Sequence, residues 1–246
     1  MKKLALGSLT LAALVSQTTG CIITSDDPDD FATITADWSF RSVNAAGSLS
    51  PENNCPAGFP TVALHSQELD GNDRPVGPEV VDLFDCIDGR NFSDELLPGV
   101  YETFIRVTSD SGLNLYAESL PEIVDVRVND VTIDPLIVDN GGYFAVAWDL
   151  REEGTNAPLE CRDVAGIDGV EIASTLSGTT QAVTDIFDCE VGSSFSAPVM
   201  EGNYVISMAV LNTAGNAIGQ PETLNNKVMR DRNQVTDLGV VMLQVP

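Results

Sequence analysis

The sequence FDCIDGRNFS at residues 84–93 returns as FDCEVGSSFS at residues 187–196. The same separation of 103 residues holds for three later pairs, namely Gly99 and Gly202, Tyr101 and Tyr204, and Gly112 and Gly215. Chance does not keep a constant separation over so many positions. The sequence therefore predicts two copies of one small domain, and this duplication decides the fold.

A second matched stretch begins each copy, since ADWSFR at residues 36–41 corresponds to AWDLR at residues 147–151. We predict that repeat 1 covers residues 32–138 and that repeat 2 covers residues 139–246. Each copy has about 100 residues, which is enough for its own hydrophobic core. The connection over residues 134–142 is short, so we expect limited freedom between the copies.

The charge balance is acidic, with 37 Asp and Glu against 12 Lys and Arg in 246 residues and a net charge of -25. A chain of this charge is repelled by nucleic acid and by anionic lipid, so neither is expected as an electrostatic partner. The acidity is typical of a soluble, non-adhesive surface. Binding of cations or of basic partners is the alternative interpretation.

The N-terminus has the pattern of an export signal. Two lysines, Lys2 and Lys3, precede an apolar run over residues 4–15 that is too short to span a bilayer. We predict a lipoprotein signal peptide over residues 1–20, then a lipidated Cys21 and an acidic tether over residues 21–31.

The sequence TTGC at residues 18–21 resembles the bacterial lipobox, in which a small residue precedes the cysteine that is lipidated and becomes the new N-terminus. Thr18 departs from the motif, because leucine is usual there, and ordinary signal-peptide cleavage with an unmodified Cys21 stays open. Ile22 follows Cys21, where an aspartate favours inner-membrane retention in such lipoproteins. The resemblance therefore implies the outer membrane.

Four further cysteines fall two in each copy. In an oxidising compartment we expect Cys55 to pair with Cys86 and Cys161 to pair with Cys189. Each bridge would close a loop of about thirty residues and stabilise the fold by roughly 3–4 kcal/mol. Pairing between copies or free thiols are the alternatives, and a zinc site is less favoured because no Cys-x-x-Cys motif occurs.

Apolar and polar residues alternate along both copies. The positions are Ile34, Ala36, Trp38 and Phe40 in the first copy and Phe144, Val146, Trp148 and Leu150 in the second. A period of two predicts half-buried strands, as do the apolar positions in 62–64, 80–84, 101–107, 131–132, 170–172, 204–210 and 235–236. We predict an all-β fold of two tandem antiparallel β-sandwich domains with about seven strands each.

Two resemblances bear on this fold. The segments LPGVY at 97–101 and VTDLGVVML at 235–243 resemble prealbumin-like, Ig-like sandwiches such as carboxypeptidase regulatory domains. Trp38 and Trp148 precede both cysteines of their copies, so a true immunoglobulin domain is excluded. The order of lipobox, acidic tether, Trp strand, FDC and G-x-Y is similar to surface lipoproteins of myxobacteria and related Gram-negative bacteria. That similarity implies an envelope protein and supplies no catalytic or binding residue.

No residue pattern indicates catalysis or a cofactor. His65 is the only histidine and is expected to point outward, with Ala173 at its matched position. We interpret the tryptophans and the tyrosines Tyr101 and Tyr204 as core residues, with sugar platforms as the alternative for the tryptophans. Arg41 and Arg151 are expected to face solvent or to form ion pairs.

The loop Asp70-Gly71-Asn72-Asp73 offers weak calcium candidates in Asp70, Asn72 and Asp73, although these residue types are also typical of turns. Acidic residues also recur beside the cysteines, at Asp85, Asp88, Asp185 and Asp188.

The sequence favours a non-enzymatic, lipid-anchored cell-envelope protein that acts as a binding or structural module. Its expected partners are the membrane, through the lipid on Cys21, and an envelope protein or a glycan. A calcium- or carbohydrate-binding surface adhesin is the alternative, and a glycan-acting enzyme is the least favoured reading.

Overall fold

The computed structural model describes residues 31–52 and 55–246. The predicted signal peptide, Cys21 and the acidic tether up to Asp30 lie outside these residues. Most of the described residues lie in β-strands, and the only helices among them are three short 3-10 helices, which confirms the predicted all-β class.

The first copy contains eleven strands. They are β1 (Ile34–Asp37), β2 (Ser39–Val43), β3 (Leu49–Glu52), β4 (Thr61–Leu69), β5 (Val80–Asp85), β6 (Arg90–Phe92), β7 (Val100–Thr108), β8 (Leu115–Glu118), β9 (Glu122–Asp125), β10 (Val131–Ile133) and β11 (Leu136–Val138).

The second copy contains nine strands, and three short 3-10 helices accompany the cysteines of the two copies. The strands are β12 (Gly141–Glu152), β13 (Pro158–Leu159), β14 (Ile167–Leu176), β15 (Ala182–Asp188), β16 (Ser193–Phe195), β17 (Val199–Met200), β18 (Gly202–Asn212), β19 (Ala217–Met229) and β20 (Gln234–Val245). The helices are Cys86–Asp88, Cys161–Asp163 and Cys189–Val191.

Each copy packs two sheets face to face. The order β5-β4-β7-β8 in the first copy corresponds to β15-β14-β18-β19 in the second, and all of these pairs are antiparallel. The opposing sheet is centred on β1 and β2 in the first copy and on β12 in the second. In this second sheet the first and last strands of a copy run parallel, as β1 with β10, β2 with β11, and β12 with β20.

The first copy has more strands because its long strands are interrupted. Pro135 separates β10 from β11, since proline lacks the N–H that a continuous ladder needs. The matching strand β20 stays continuous by a bulge at Leu238 and Gly239, where the glycine has a φ of 74°. Alternation of side chains predicts strands without locating such interruptions.

Each sandwich has its own apolar core. The first core contains Ile34, Trp38, Leu64, Ile105 and Ile137, among other buried residues. The second contains Phe144, Trp148, Ile172, Ile206 and Leu243 at comparable places. The apolar phase of the strands was therefore correctly identified from the sequence.

A third, smaller cluster lies where the copies meet. Val43 and Val138 of the first copy pack with Tyr143 of the second, against the partly buried Leu120 and Met200. Asp139 and Asn140 are the only residues between β11 and β12. The two sandwiches are thus joined by a short connection and by a packed contact.

Candidate functional site

The residues that the two copies share most closely form one structural unit around each disulfide. The bridges join Cys55 to Cys86 and Cys161 to Cys189, with Cα atoms 6.0 and 5.9 Å apart, as the sequence predicts. Both bridges stay within their own copy. The pairing in the structure confirms the predicted one and excludes cross-copy bridges for these four cysteines.

A buried tryptophan lies against each bridge. The indole N–H of Trp38 donates a hydrogen bond of 3.0 Å to the carbonyl of Cys86, and its ring stacks on Phe84 at 6.0 Å. Trp148 repeats this with Cys189 at 3.1 Å and Phe187 at 6.1 Å. Both indoles are buried and have used their only polar atom, so they are core residues rather than sugar platforms.

Two tyrosines close a corner in the same way. The hydroxyl of Tyr101 donates to the carbonyl of Leu97 at 3.0 Å, and the hydroxyl of Tyr204 donates to that of Met200 at 2.8 Å. Burial raises the pKa of Tyr204 to about 12, so the phenol stays protonated as this bond requires. The two hydroxyls thus tie β7 and β18 to the segments that precede them.

Asp82 and Asp185 are a matched pair of carboxylates, of which the sequence indicated only Asp185. Asp185, noted there as an acid near a cysteine, accepts a hydrogen bond of 2.9 Å from the N–H of Ala197. Asp82 occupies the matched position and accepts one of 3.1 Å from the N–H of Asp94. Burial raises the pKa of both carboxyls. The constant separation of 103 residues was the signal that identifies Asp82.

The weak calcium loop forms a tight turn. One carboxylate oxygen of Asp70 accepts hydrogen bonds from the backbone N–H of Asn72 at 2.8 Å and of Arg74 at 3.0 Å. Asp73 adopts a left-handed φ of 57°. Within residues 31–52 and 55–246, no three His, Cys, Asp or Glu side chains are grouped as a metal site. The structure accounts for the loop as a turn.

His65 corrects an expectation, because its side chain is buried and not outward-facing. Only 6% of the residue is exposed, its Nδ1 lies 3.1 Å from an oxygen of Glu79, and its ring stacks on Phe104 at 4.8 Å. Arg106 covers the same phenylalanine at 5.1 Å and pairs with Glu118. Phe104 on β7 and Glu79, which directly precedes β5, thus cover the outer face of β4 at this point.

The two arginines that follow the tryptophans differ. The guanidinium of Arg151 pairs with Asp149 at 3.1 Å, which is the ion pair that the sequence left open. Arg41 lines an open recess of about 490 Å³ beside Trp38 and the first bridge. A smaller recess of about 210 Å³ lies at the matched place beside Trp148. The larger recess adjoins Glu52 and Cys55, which flank the two residues outside the described chain, so we assign it no ligand.

The junction contains the densest set of hydrogen bonds between the copies. The amide of Asn140 exchanges two hydrogen bonds with the backbone of Val43, at 2.7 and 2.9 Å. The buried amide of Asn233 accepts from the N–H of Val138 and donates to the carbonyl of Glu118, both at 2.7 Å. No sequence pattern indicated these two asparagines.

No protein-family model and no curated protein sequence matches the chain. Among solved structures, it is similar to a leucine-rich repeat protein of Bacteroides thetaiotaomicron, with a TM-score of 0.38 and 11% identity over 88% of this chain. The chain spans only 27% of that protein's length.

Two pilins are also similar. The minor pilin GBS52 of Streptococcus agalactiae gives a TM-score of 0.28 and 13% identity, covering 87% of this chain and 96% of the pilin. The shaft pilin SpaA of Lactobacillus rhamnosus GG gives 0.25 and 8%, covering 88% and 98%. Scores and identities this low carry no inference about function.

In the part of the chain that the structure describes, no helix is long and apolar enough to cross a membrane.

Proposed function

We propose that this chain is a lipid-anchored, non-enzymatic protein of the bacterial cell envelope that serves as a binding or structural module. The cysteines carry the proposal. Four of the five form one bridge inside each copy, and the fifth, Cys21, stands in the lipobox-like sequence TTGC after an apolar leader. Disulfides of this kind fit a protein exported to an oxidising compartment.

The use of the shared polar groups supports a scaffold rather than an enzyme. The matched tryptophans, tyrosines and aspartates all make hydrogen bonds that hold one strand or loop to another. Each of these contacts serves the fold. The duplication then provides two linked platforms, which suits bivalent binding or a spacer that holds a surface away from the membrane.

The anchor is tested by mass spectrometry of the N-terminal peptide from protein extracted with detergent from native membranes. We expect an acylated Cys21 as the first residue, and a Cys21→Ser variant should lose both the acyl mass and the membrane association. An unmodified Cys21 in the membrane fraction would contradict the anchor. Separation of inner and outer membranes on a density gradient tests the proposed outer-membrane location.

The module role is tested by cross-linking the lipidated protein in intact cells and identifying what co-purifies with it. One reproducible protein partner would support a binding role within an envelope assembly. Calorimetry with calcium and with cell-wall glycans tests the adhesin alternative on the same material. Turnover of a glycan by the purified protein would overturn the non-enzymatic assignment.

We also propose that residues 32–138 and 139–246 are separate domains, since each surrounds its own core. Residues 139–246 expressed alone should give a cooperative thermal transition and a protease-resistant fragment. A chain that unfolds only in one inseparable transition, with neither half stable alone, would contradict the division.

A further inference from the structure

One surface has an equivalent in each copy, but in the second copy it contacts the other sandwich and in the first copy it is exposed. In the second copy this surface includes Phe195, Met200 and Arg232, and it faces the first copy. Met200 packs on the cluster of Val43 and Val138, while Phe195 and Arg232 line a cavity of about 310 Å³ together with Leu115 and Leu120. The second copy thus uses this end as a docking surface.

The matched end of the first copy is apolar and exposed. Phe92 corresponds to Phe195 and Leu97 to Met200, and Val128 lies in the loop that matches the one with Arg232. Phe92, Leu97 and Val128 are 64%, 58% and 85% exposed, against 37% for Phe195. Phe31 adds a further half-exposed ring, because the bridge between Ala32 and Leu96 places it opposite Leu97. We call Phe31, Phe92, Leu97 and Val128 the apolar end. Nothing in the described chain covers it.

A second copy of this chain is poorly suited to cover the apolar end. At the internal junction, Val43 and Val138 of the first copy pack against the second copy. At the matched positions, the far end of the second copy carries Glu153 and Gln244. A head-to-tail contact between two chains would therefore set the apolar end against Glu153 and Gln244 in place of the two buried valines of the internal junction.

The segment between Cys21 and Phe31 indicates a different partner for the apolar end. Phe31 comes ten positions after Cys21, and ten residues reach at most about 35 Å when fully extended. If Cys21 carries the lipid, the apolar end is the part of the described chain held nearest to the bilayer. Aromatic and aliphatic side chains are the groups that enter the interface between headgroups and acyl chains.

We propose that the apolar end of the first copy docks onto the lipid surface, so that the anchored protein stands on the membrane by this end. The proposal rests on the lipid anchor proposed above. Acidic neighbours, including Asp94 and Asp130, disfavour anionic headgroups, so the expected surface is a zwitterionic one. The second copy would then project away from the membrane with its outer surfaces available.

The test uses the full lipidated chain reconstituted into phosphatidylcholine vesicles that contain a photoactivatable phosphatidylcholine. After irradiation, we expect lipid adducts on the peptides that contain Phe92, Leu97 and Val128. Their adduct yield should be on the order of ten times that of the peptides that contain Ile186 or Val240. Those two apolar side chains are comparably exposed but lie in the second copy, and they serve as internal controls.

A Leu97→Ser/Val128→Ser variant should keep floating with the vesicles and lose most of these adducts, whereas a Val240→Ser variant should behave as the parent. Protein that fails to float shows that the anchor is absent, which overturns the proposed function and with it this docking mode. Protein that floats without adducts at the apolar end overturns the docking alone. In a separate sample treated with a bifunctional protein cross-linker, cross-links from one apolar end to another would also overturn it, in favour of a dimer.

Discussion

The two copies agree in their interiors and differ on the outer face of the sheets that contain β4 in the first copy and β14 in the second. Trp38, Phe84 and Cys86 make the same contacts as Trp148, Phe187 and Cys189. On the outer face, His65 lies beside Phe104 in the first copy, whereas the corresponding pair in the second is Ala173 beside Ser207.

The difference shows which residues the fold needs. Both sandwiches contain a buried indole beside a bridge, while the outer face differs without changing the strand order. We therefore expect substitutions in the shared unit to lower the free energy of unfolding by similar amounts in the two copies. Substitutions outside this unit should have different effects in the two copies.

The largest expected effect is loss of a core indole. Trp38→Ala and Trp148→Ala should each lower the free energy of unfolding by roughly 3–5 kcal/mol, because each removes a large buried side chain and leaves a cavity. Urea denaturation followed by circular dichroism measures this. Trp→Phe controls should cost less, and an effect in only one copy would break the equivalence of the two cores.

The bridges should rank next. Replacing Cys55 and Cys86 by serine, or Cys161 and Cys189, should lower stability by about 2–4 kcal/mol in either copy. The loops are of similar length, with separations of 31 and 28 residues, so the two costs should be close. Unfolding with and without a reducing agent gives the comparison, and peptide mapping under non-reducing conditions is the control. A bridge between copies in that map would contradict the structure.

A junction residue should distinguish the copies. Asn233→Ala leaves the N–H of Val138 and the carbonyl of Glu118 without their partner, which should cost about 1–3 kcal/mol. Asn129 lies in the corresponding loop of the first copy and is exposed, so Asn129→Ala should change stability by less than about 0.5 kcal/mol. Differential scanning calorimetry of both variants decides the point. Equal effects would mean that the junction does not depend on this amide.

The smallest effect concerns pH. Burial raises the pKa of Asp82 and of Asp185, so the folded protein holds protons that the unfolded chain releases above the ordinary value of 3.8. Stability should therefore fall as pH rises from about that value to the raised folded pKa. Asp185→Asn keeps an oxygen for the N–H of Ala197 and removes the ionisation, so this part of the decline should flatten.

Urea midpoints measured between pH 3.5 and pH 7, roughly the range in which carboxyls titrate, test this slope. Asp82→Asn should act in the same direction, and the exposed Asp237→Asn is the control. A slope that steepens on substitution would contradict burial as the dominant cause.

The sequence was most informative where the repeat constrained it. A residue such as Trp148 appears twice with the same neighbours and the same apolar phase, so its role as a core side chain could be predicted. His65 appears once, and alternation placed it outside. That inference failed because strand phase says which face a side chain takes, but not whether bulky neighbours such as Phe104 cover that face.

The sequence by itself determined the all-β class, the duplication, the two bridges and the apolar phase of the strands, because each follows from local periodicity or from spacing along the chain. Only the tertiary structure decided the parallel pairing of first and last strands, the burial of His65, the asparagine contacts of the junction and the exposure of the apolar end. These depend on which distant segments become neighbours, and a single sequence records that only where it repeats itself.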